Sequence, residues 1–383
     1  MGRLEAALAR REVDGLRRQR RVVAAPTGPR TVVDGEPMLA FASNDYLGLA
    51  ADPMVIAAAR DAAATWGVGA GASHLVSGHS VPHDALEQEL AAFVAPTGGI
   101  NALLFSSGYL ANLAILSVLA ERHDAIFADR LNHACLNDGA LLSRAALHRY
   151  AHGDVAALAQ AMQRSAAPRK LIVTDAVFSM DGDIAPLAAL LELAVQHDAW
   201  LIVDDAHGFG VLGEGRGTLA QLGLASDHIV AMGTLGKAAG VAGAFVAAHP
   251  VVIEALAQTA RSYIYTTAMP PLQAQALRVA LAIIRDDHAR RGVLGAHIAR
   301  FRAGAATLPW TLLPSTTAIQ PLVVGDSDAA VALGLALAAQ GIWVPAIRPP
   351  TVPAGTARLR VSLSAAHTAN DVDALLAALV AAA

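Results

Sequence analysis

The stretch Thr234-Leu235-Gly236-Lys237-Ala238-Ala239-Gly240-Val241-Ala242-Gly243-Ala244-Phe245 sets one lysine among small and apolar residues. The glycines and alanines leave room for a bulky group to lie against the backbone. Desolvation disfavours an ammonium, so such a lysine is a candidate for a lowered pKa. A neutral lysine can form a Schiff base with a carbonyl. The plain alternative is a loop lysine joining two strands. Five other residues with chemistry to offer, Gly108, His133, Ser179, Asp204 and His207, also follow predicted strands. Open α/β sheets bind ligands at the carboxyl ends of their strands, so these positions converge.

The elements that must hold them are legible from Lys170 onward. Apolar runs at 171–174, 200–205 and 229–232 read as strands, with a helix at 186–197 for which Asp183 is a plausible cap. Shorter strands precede them at 103–105 and 125–128. Strands alternating with helices imply a mostly parallel sheet covered on both faces, an α/β fold. Ser106-Ser107-Gly108-Tyr109 turns from strand into a helix at 110–121. That is either an anion site made by free N–H groups or an ordinary capped helix. His133 reads as a satisfied loop histidine or as a flat ring for stacking on an aromatic ligand. Upstream, the pattern predicts a helix at 4–21, a strand pair at 31–41 around Asp34-Gly35, and helices at 53–65 and 83–94. Downstream it predicts one long helix at 272–302. A smaller α+β lobe follows, with strands at 318–324, 342–346 and 358–363 and helices at 329–340 and 370–380.

Composition narrows the classes. The chain has 383 residues, 55% hydrophobic and 16% charged, which is globular rather than disordered. A net charge of −4 and a pI of about 6.4 argue against an electrostatic nucleic-acid binder. The charge-free runs 90–120 and 329–347 are broken by Pro, Gly and polar residues, so neither reads as a membrane span. The N-terminus lacks a signal-peptide core, and Ala6 stands where myristoylation wants Ser or Thr. A lone Cys135 excludes an internal disulfide, and a cytoplasmic enzyme is expected. The basic cluster at 17–21 is a solvated face or a contact for an anionic substrate. His74, His79 and His83 are interrupted by Gly78 and Pro82 and cannot share one helical face, so no metal site is expected. The loop Gly67-Val68-Gly69-Ala70-Gly71-Ala72-Ser73 gives a nicotinamide-enzyme reading only weak support, because no strand precedes it.

Asp204 at a strand end, a Schiff-base lysine and a helix N-terminus together fit pyridoxal phosphate. An acidic residue keeps the pyridine nitrogen protonated, and Gly108, Tyr109 and Thr234 can offer donors to the phosphate. Lys237, once freed by an amino-acid substrate, can serve as the proton-transfer base.

The segments Ser43-Asn44-Asp45-Tyr46-Leu47-Gly48, Phe178-Ser179-Met180-Asp181-Gly182-Asp183, Val203-Asp204-Asp205-Ala206-His207-Gly208, Thr234-Leu235-Gly236-Lys237 and Ser364-Ala365-Ala366-His367 resemble the α-oxoamine synthases. These are pyridoxal-phosphate-dependent transferases of fold type I, the aspartate-aminotransferase fold. The resemblance runs from about Leu4 to the C-terminus. It implies a segment at 1–45, a large cofactor-binding domain at 46–285 and a small C-terminal domain at 286–383. It also implies that Lys237 carries the cofactor and moves the α-proton, that His133 stacks on the ring, that Asp204 pairs with the ring nitrogen and that His207 meets the ring oxygen. Ser179, Gly108, Tyr109 and Thr234 would hold the cofactor, and Thr267 would reach the phosphate of the partner subunit in a homodimer. Arg360 would bind the amino-acid carboxylate, and Asn44, Arg17 and Thr351 would lie on the substrate side.

The loop from Arg348 to Arg360 most resembles the branch that joins L-alanine to a pimeloyl thioester, on coenzyme A or a carrier protein, with loss of carbon dioxide. A sister reaction, glycine with acetyl-CoA, is the alternative. A non-catalytic dimer partner is disfavoured because Lys237 and His133 are both present. The sequence Ala72-Ser73-His74-Leu75 departs from the family pattern and leaves the role of that loop open.

Overall fold

The computed structural model of the protein describes residues 1–13, 16–17 and 20–383. Its first strands, β1 (Arg30–Val33) and β2 (Glu36–Ala40), pair antiparallel around Asp34 and Gly35. Both turn residues take positive φ, 52° and 92°, as a tight hairpin turn requires.

The central sheet is built from β3 (Asn101–Phe105), β4 (Ala125–Asp129), β5 (Ala146–Tyr150), β6 (Lys170–Asp175), β7 (Trp200–Asp204), β8 (Ile229–Thr234) and β9 (Ala244–Ala248). Their spatial order is β3-β9-β8-β7-β6-β4-β5, and only β9 runs antiparallel to its neighbours. Alternation sends Leu171, Val173 and Ile202 into a core with Leu116 and Ile126. It sends Ile172, Leu201 and Val203 into a second core with Phe127, Leu158 and Leu190 on the opposite face. Each such fully buried side chain contributes about 1.5–3 kcal/mol. The same alternation sends Asp204 to the face of Ile202, under helices Gly108–Leu119 and Ala134–Ser143, and Asp205 to the other.

The C-terminal part adds β10 (Thr311–Leu312), β11 (Ile319–Gly325), β12 (Ile342–Trp343), β13 (Ala346–Ile347) and β14 (Ala357–Ser362). Four of these form an antiparallel sheet in the order β10-β11-β14-β13, while β12 pairs parallel with β2. The N-terminal hairpin is thus tied to the C-terminal part of the chain.

Several expectations are corrected. The helix expected at 4–21 runs only Gly2–Val13 and buries none of its residues. Without a packed face, a helix this short has little to hold it. Leu16, Arg17, Arg20 and Arg21 are not helical. Asp14, Gly15, Arg18 and Gln19 lie outside the described residues. The long helix at 272–302 is two helices, Pro271–Asp286 and His288–Ala305. They break at Asp287, whose carboxylate caps the second by accepting from Arg290 N at 3.0 Å. The single strand at 342–346 is split because Pro345 lacks an N–H, leaving β12 and β13 in different sheets. Finally, helix Leu187–Gln196 has no side-chain cap, and Asp183 is engaged elsewhere.

Candidate active site

The carboxyl ends of the central strands carry Gly108, His133, Ser179, Asp204, His207 and Lys237, and one hydrogen-bonded chain joins Lys237 and His207 to Asn44 and Arg360. Lys237 follows β8 in a loop held by Gly240 (φ 72°) and Gly243 (φ 96°). A Cβ on Gly240 would lie 2.5 Å from the carbonyl carbon of Leu49, so only glycine lets the lysine loop dock on the 45–50 turn. From Lys237 a hydrogen-bonded chain crosses the molecule. Lys237 Nζ lies 2.9 Å from His207 Nε2, and His207 Nδ1 lies 2.6 Å from the Tyr46 hydroxyl. Tyr46 donates to Asn44 Oδ1 at 3.1 Å, and Arg360 Nη1 donates to the same oxygen at 3.2 Å. Because the Tyr46 proton goes to Asn44, His207 Nδ1 must donate to Tyr46, which leaves Nε2 as the acceptor for the lysine. Burial, then the charges of Lys237, Arg360 and His133, hold the His207 pKa well below its usual value, so the ring is neutral. Burial also lowers the Lys237 pKa against the opposing pull of Asp204 and Asp175.

On the other side of Lys237, register sets Asp175 of β6 beside Asp204 of β7. Asp204 accepts from Asn112 Nδ2 at 2.7 Å and from Ala206 N at 3.0 Å. Asp175 accepts from the backbone N–H of His133 at 2.7 Å. Burial and the neighbouring Asp204 charge raise the Asp175 pKa well above the ordinary carboxylate range. The exposed His133 ring caps helix Ala134–Ser143, with Nδ1 3.3 Å from Cys135 N and 2.8 Å from Cys135 Sγ.

The anion side is the start of helix Gly108–Leu119. Ser107 caps it by accepting from Leu110 N at 3.3 Å. A Cβ on Gly108 would come within 3.3 Å of Met232 Cε, so this approach is tight. The Tyr109 hydroxyl donates to Asp138. Thr234 Oγ1 donates to the Gly243 carbonyl at 3.2 Å, and Ser106 Oγ reaches the Thr267 carbonyl at 3.4 Å.

Two arginines of β14 share a face but differ in partners. Arg358 pairs with Asp181 at 2.7 Å and also donates to the Met180 carbonyl. Arg360, only 5% exposed, donates to the Ser179 carbonyl at 2.5 Å and to Ser362 Oγ at 2.7 Å. Among the described residues it forms no salt bridge, so it is a buried cation without a carboxylate. Ser179 meets Arg360 through its carbonyl.

Arg17 and Thr351 lie apart from all of these residues. Arg17 pairs with Glu12 on the exposed N-terminal segment. Thr351 lies in the exposed turn after Arg348, its N–H donating to the Arg348 carbonyl at 3.0 Å. Tyr46, Asn112 and Asp175 take part in the geometry although sequence reasoning assigns them no role. Asp175 ends a strand as Asp204 does, and that is the available signal. The three histidines gather despite their spacing, with ring centroids 5.2–5.7 Å apart, because a π-turn at His74–Gly78 precedes helix Val81–Val94. Among the described residues, no group of three or more His, Cys, Asp or Glu is arranged to hold a metal.

The donor set fits pyridoxal phosphate. It supplies an amine whose pKa burial lowers, a buried carboxylate for a protonated ring nitrogen, and a helix N-terminus whose Gly108 lies close against the end of the Met232 side chain. Residues 36–379 match the family described as Aminotransferase class I and II. A lysine-to-alanine variant of serine palmitoyltransferase from S. paucimobilis, solved with a bound pyridoxal phosphate–myriocin aldimine, superposes with a TM-score of 0.92 at 31% identity, over 99% of this chain and 96% of that one.

More specific relatives carry one name. The 8-amino-7-oxononanoate synthase of Herminiimonas arsenicoxydans is 58% identical over 99% of this chain and 98% of its own length. That of Francisella tularensis, a solved structure, gives a TM-score of 0.76 at 32% identity, over 89% of this chain and 96% of that one. The chain belongs to the class I and II aminotransferase family, within its 8-amino-7-oxononanoate synthase branch. It is a fold type I enzyme that uses pyridoxal phosphate.

Proposed function

We propose that the protein joins L-alanine to a pimeloyl thioester, carried by coenzyme A or a carrier protein, to give 8-amino-7-oxononanoate for biotin biosynthesis. The bond formed joins alanine Cα to the acyl carbonyl carbon. The thioester C–S bond breaks to free the thiol, and the alanine carboxylate leaves as carbon dioxide. The observation that carries this reading is Arg360, a buried guanidinium with no carboxylate of its own, linked through Asn44, Tyr46 and His207 to the Lys237 nitrogen.

Bound pyridoxal phosphate supplies a carbonyl for the amino group and a protonated ring that draws electrons from Cα. The residues do the rest. Arg360 takes the alanine carboxylate through its planar guanidinium, held by Ser179, Asn44 and Ser362 in a geometry that lysine cannot reproduce. Arg358 is already engaged by Asp181. Lys237 Nζ, whose pKa burial lowers, takes the Cα proton once the substrate amine has released it, and the neutral His207 Nε2 keeps that nitrogen oriented. Asp204 serves the ring nitrogen and His133 stacks on the ring. Ser179, Gly108, Tyr109 and Thr234 hold the cofactor, and Arg17 and Thr351 meet the acyl substrate. The active unit is a cytoplasmic homodimer in which Thr267 reaches the partner's site. Among the described residues, no helix is long and apolar enough to cross a membrane.

Purified protein with L-alanine or glycine, each against pimeloyl-CoA or acetyl-CoA, is the direct test. Product mass should match 8-amino-7-oxononanoate. A preference for glycine with acetyl-CoA would replace this reading with the sister acyltransferase.

A further inference from the structure

We infer that His152 is a positioning residue: its imidazolium braces the Ser179 loop against the end of β4 and so holds Arg360 in place for the amino-acid carboxylate. The inference rests on the reading of Arg360 as carboxylate receptor.

His152 stands in the turn after β5, away from every motif of the sequence. Its Nδ1 lies 3.1 Å from Asp129 Oδ1, and its Nε2 lies 2.9 Å from Asp183 Oδ2. Ionised carboxylates only accept, so both ring nitrogens must donate, and the ring between them is an imidazolium. The two hydrogen bonds, with Asp129 the larger cause, hold its pKa up at about 10. The Phe178 ring meets it edge-on, with centroids 4.4 Å apart at 85°. Tyr150, which also feels the Asp129 charge, is pushed by burial above its usual range and stays neutral.

Each end of the brace reaches a wall of the site. Asp129 accepts from Leu131 N at 2.8 Å and from Gly153 N at 2.9 Å, shaping the turn that leads to His133. Asp183 closes the loop that begins at Phe178, whose N–H donates to the Asp183 carbonyl at 3.0 Å. The other carboxylate oxygen of Asp183, Oδ1, is buried with no hydrogen-bond partner. His152 is the cation that Asp183 faces, and losing it removes the charge-assisted hydrogen bond that ties this loop to the turn after β5. Between Phe178 and Asp183 sits the Ser179 carbonyl that accepts from Arg360 Nε. Arg360 also leans on Asn44 and Ser362, but the loop side of its guanidinium is set by Ser179.

The test is His152→Gln. A carboxamide has a donor end and an acceptor end, so it cannot donate to carboxylates lying on opposite sides of it. Backbone hydrogen exchange over 177–184 in the apoenzyme reads the brace. Spectral titration of the holoenzyme with L-alanine reads the receptor. Exchange should quicken, and the alanine dissociation constant should rise about tenfold, the size of a direct coupling between neighbours. The double variant His152→Gln/Asp183→Asn rebuilds the brace without charge. The amide introduced at 183 donates to the carboxamide oxygen introduced at 152, whose NH2 end donates to Asp129. Both readouts should return toward wild type. Asp183→Asn alone keeps an acceptor without its charge and should show the same changes in smaller measure, even if His152→Gln fails to fold. Unchanged exchange in either single variant overturns the brace. Faster exchange with unchanged alanine binding overturns the positioning role, provided Arg360→Lys itself weakens alanine binding. If Arg360→Lys leaves alanine binding unchanged, the receptor reading falls instead, and the brace stands or falls on exchange alone.

Discussion

At the scale of single residues, Asp204 and Asp205 are adjacent carboxylates with opposite surroundings. Asp204 lies on the face of Asn112 and Cys135, beside Asp175. Asp205 accepts the N–H of Thr218 at 2.6 Å and its hydroxyl at 2.5 Å, fixing the turn behind His207. Burial raises the Asp205 pKa to about 7. Asp204→Asn should therefore retain cofactor but lose most product formation, because the ring nitrogen is no longer kept protonated. Asp205→Asn should retain the cofactor spectrum and instead lower Tm, since one Thr218 donor is left unpaired at a cost of about 1–3 kcal/mol. The sign of its pH dependence follows from the raised pKa. The wild-type contribution is complete below the unfolded value of about 4 and is lost as pH rises through about 7. The Tm gap between the two proteins should thus narrow across that interval, as thermal melts at several pH values would show. Greater damage to product formation from Asp205→Asn would mean that the strand register has been misassigned.

At the scale of elements, the site is assembled by loops that fit only with particular glycines. The lysine loop meets the 45–50 turn at Gly240, whose added Cβ would collide with the backbone of Leu49 and Ala50. Its φ of 72° adds strain for any L side chain. Gly240→Ala should lower Tm and loosen cofactor binding together, because one contact holds both the fold and Lys237. Gly223→Ala shares the positive φ, 66°, but has open space at its Cβ and serves as control. It should cost stability, about 1 kcal/mol or more for the backbone alone, and leave cofactor affinity unchanged. Equal loss of cofactor affinity in both variants would count against the contact. The 45–50 turn is itself tied to the C-terminal part, since Ser364 Oγ donates to the Asp45 carbonyl at 2.6 Å and Ala365 N donates to the Tyr46 carbonyl at 2.8 Å. We propose a large unit at 46–285 and a small one at 286–383, with the 30–41 hairpin carried on the small unit through β12.

At the scale of the whole molecule, the proposed homodimer has a consequence for hybrids. A Lys237→Ala protomer lacks the amine, and a Thr267→Val protomer lacks the hydroxyl proposed to reach its partner's phosphate. A mixed dimer contains one site built from an intact Lys237 and an intact Thr267. Mixing the two variants after co-refolding should regain product formation beyond the sum of the separate proteins. No gain, with hybrids verified by mass, would mean that each site is built within one chain. The Thr267 carbonyl accepts from Ser106 Oγ at 3.4 Å, which sets Thr267 beside the turn before helix Gly108–Leu119.

Strand ends, and therefore the residues that stand at them, were legible from local order alone. Apolar runs suited to a buried parallel sheet bring Gly108, His133, Ser179, Asp204, His207 and Lys237 to one edge, and strand alternation separates Asp204 from Asp205. The family motifs were equally legible, because they are short local runs. Other features depend on contacts between residues far apart in the chain, which no local pattern encodes. Arg358 and Arg360 share a face, and spacing does not separate them; a carboxylate from the distant Asp181 pairs with the first and not with the second. Tyr46 gains its place only because the 45–50 turn packs under the C-terminal strand and brings its hydroxyl to His207, 161 positions away. The break at Asp287 escapes the helical pattern because it is fixed by a cap and by Arg290 reaching Asp52, not by a local breaker residue. His152 carries no signal at all: its charge state is created by two carboxylates that the sheet and the Ser179 loop bring to its opposite ring nitrogens.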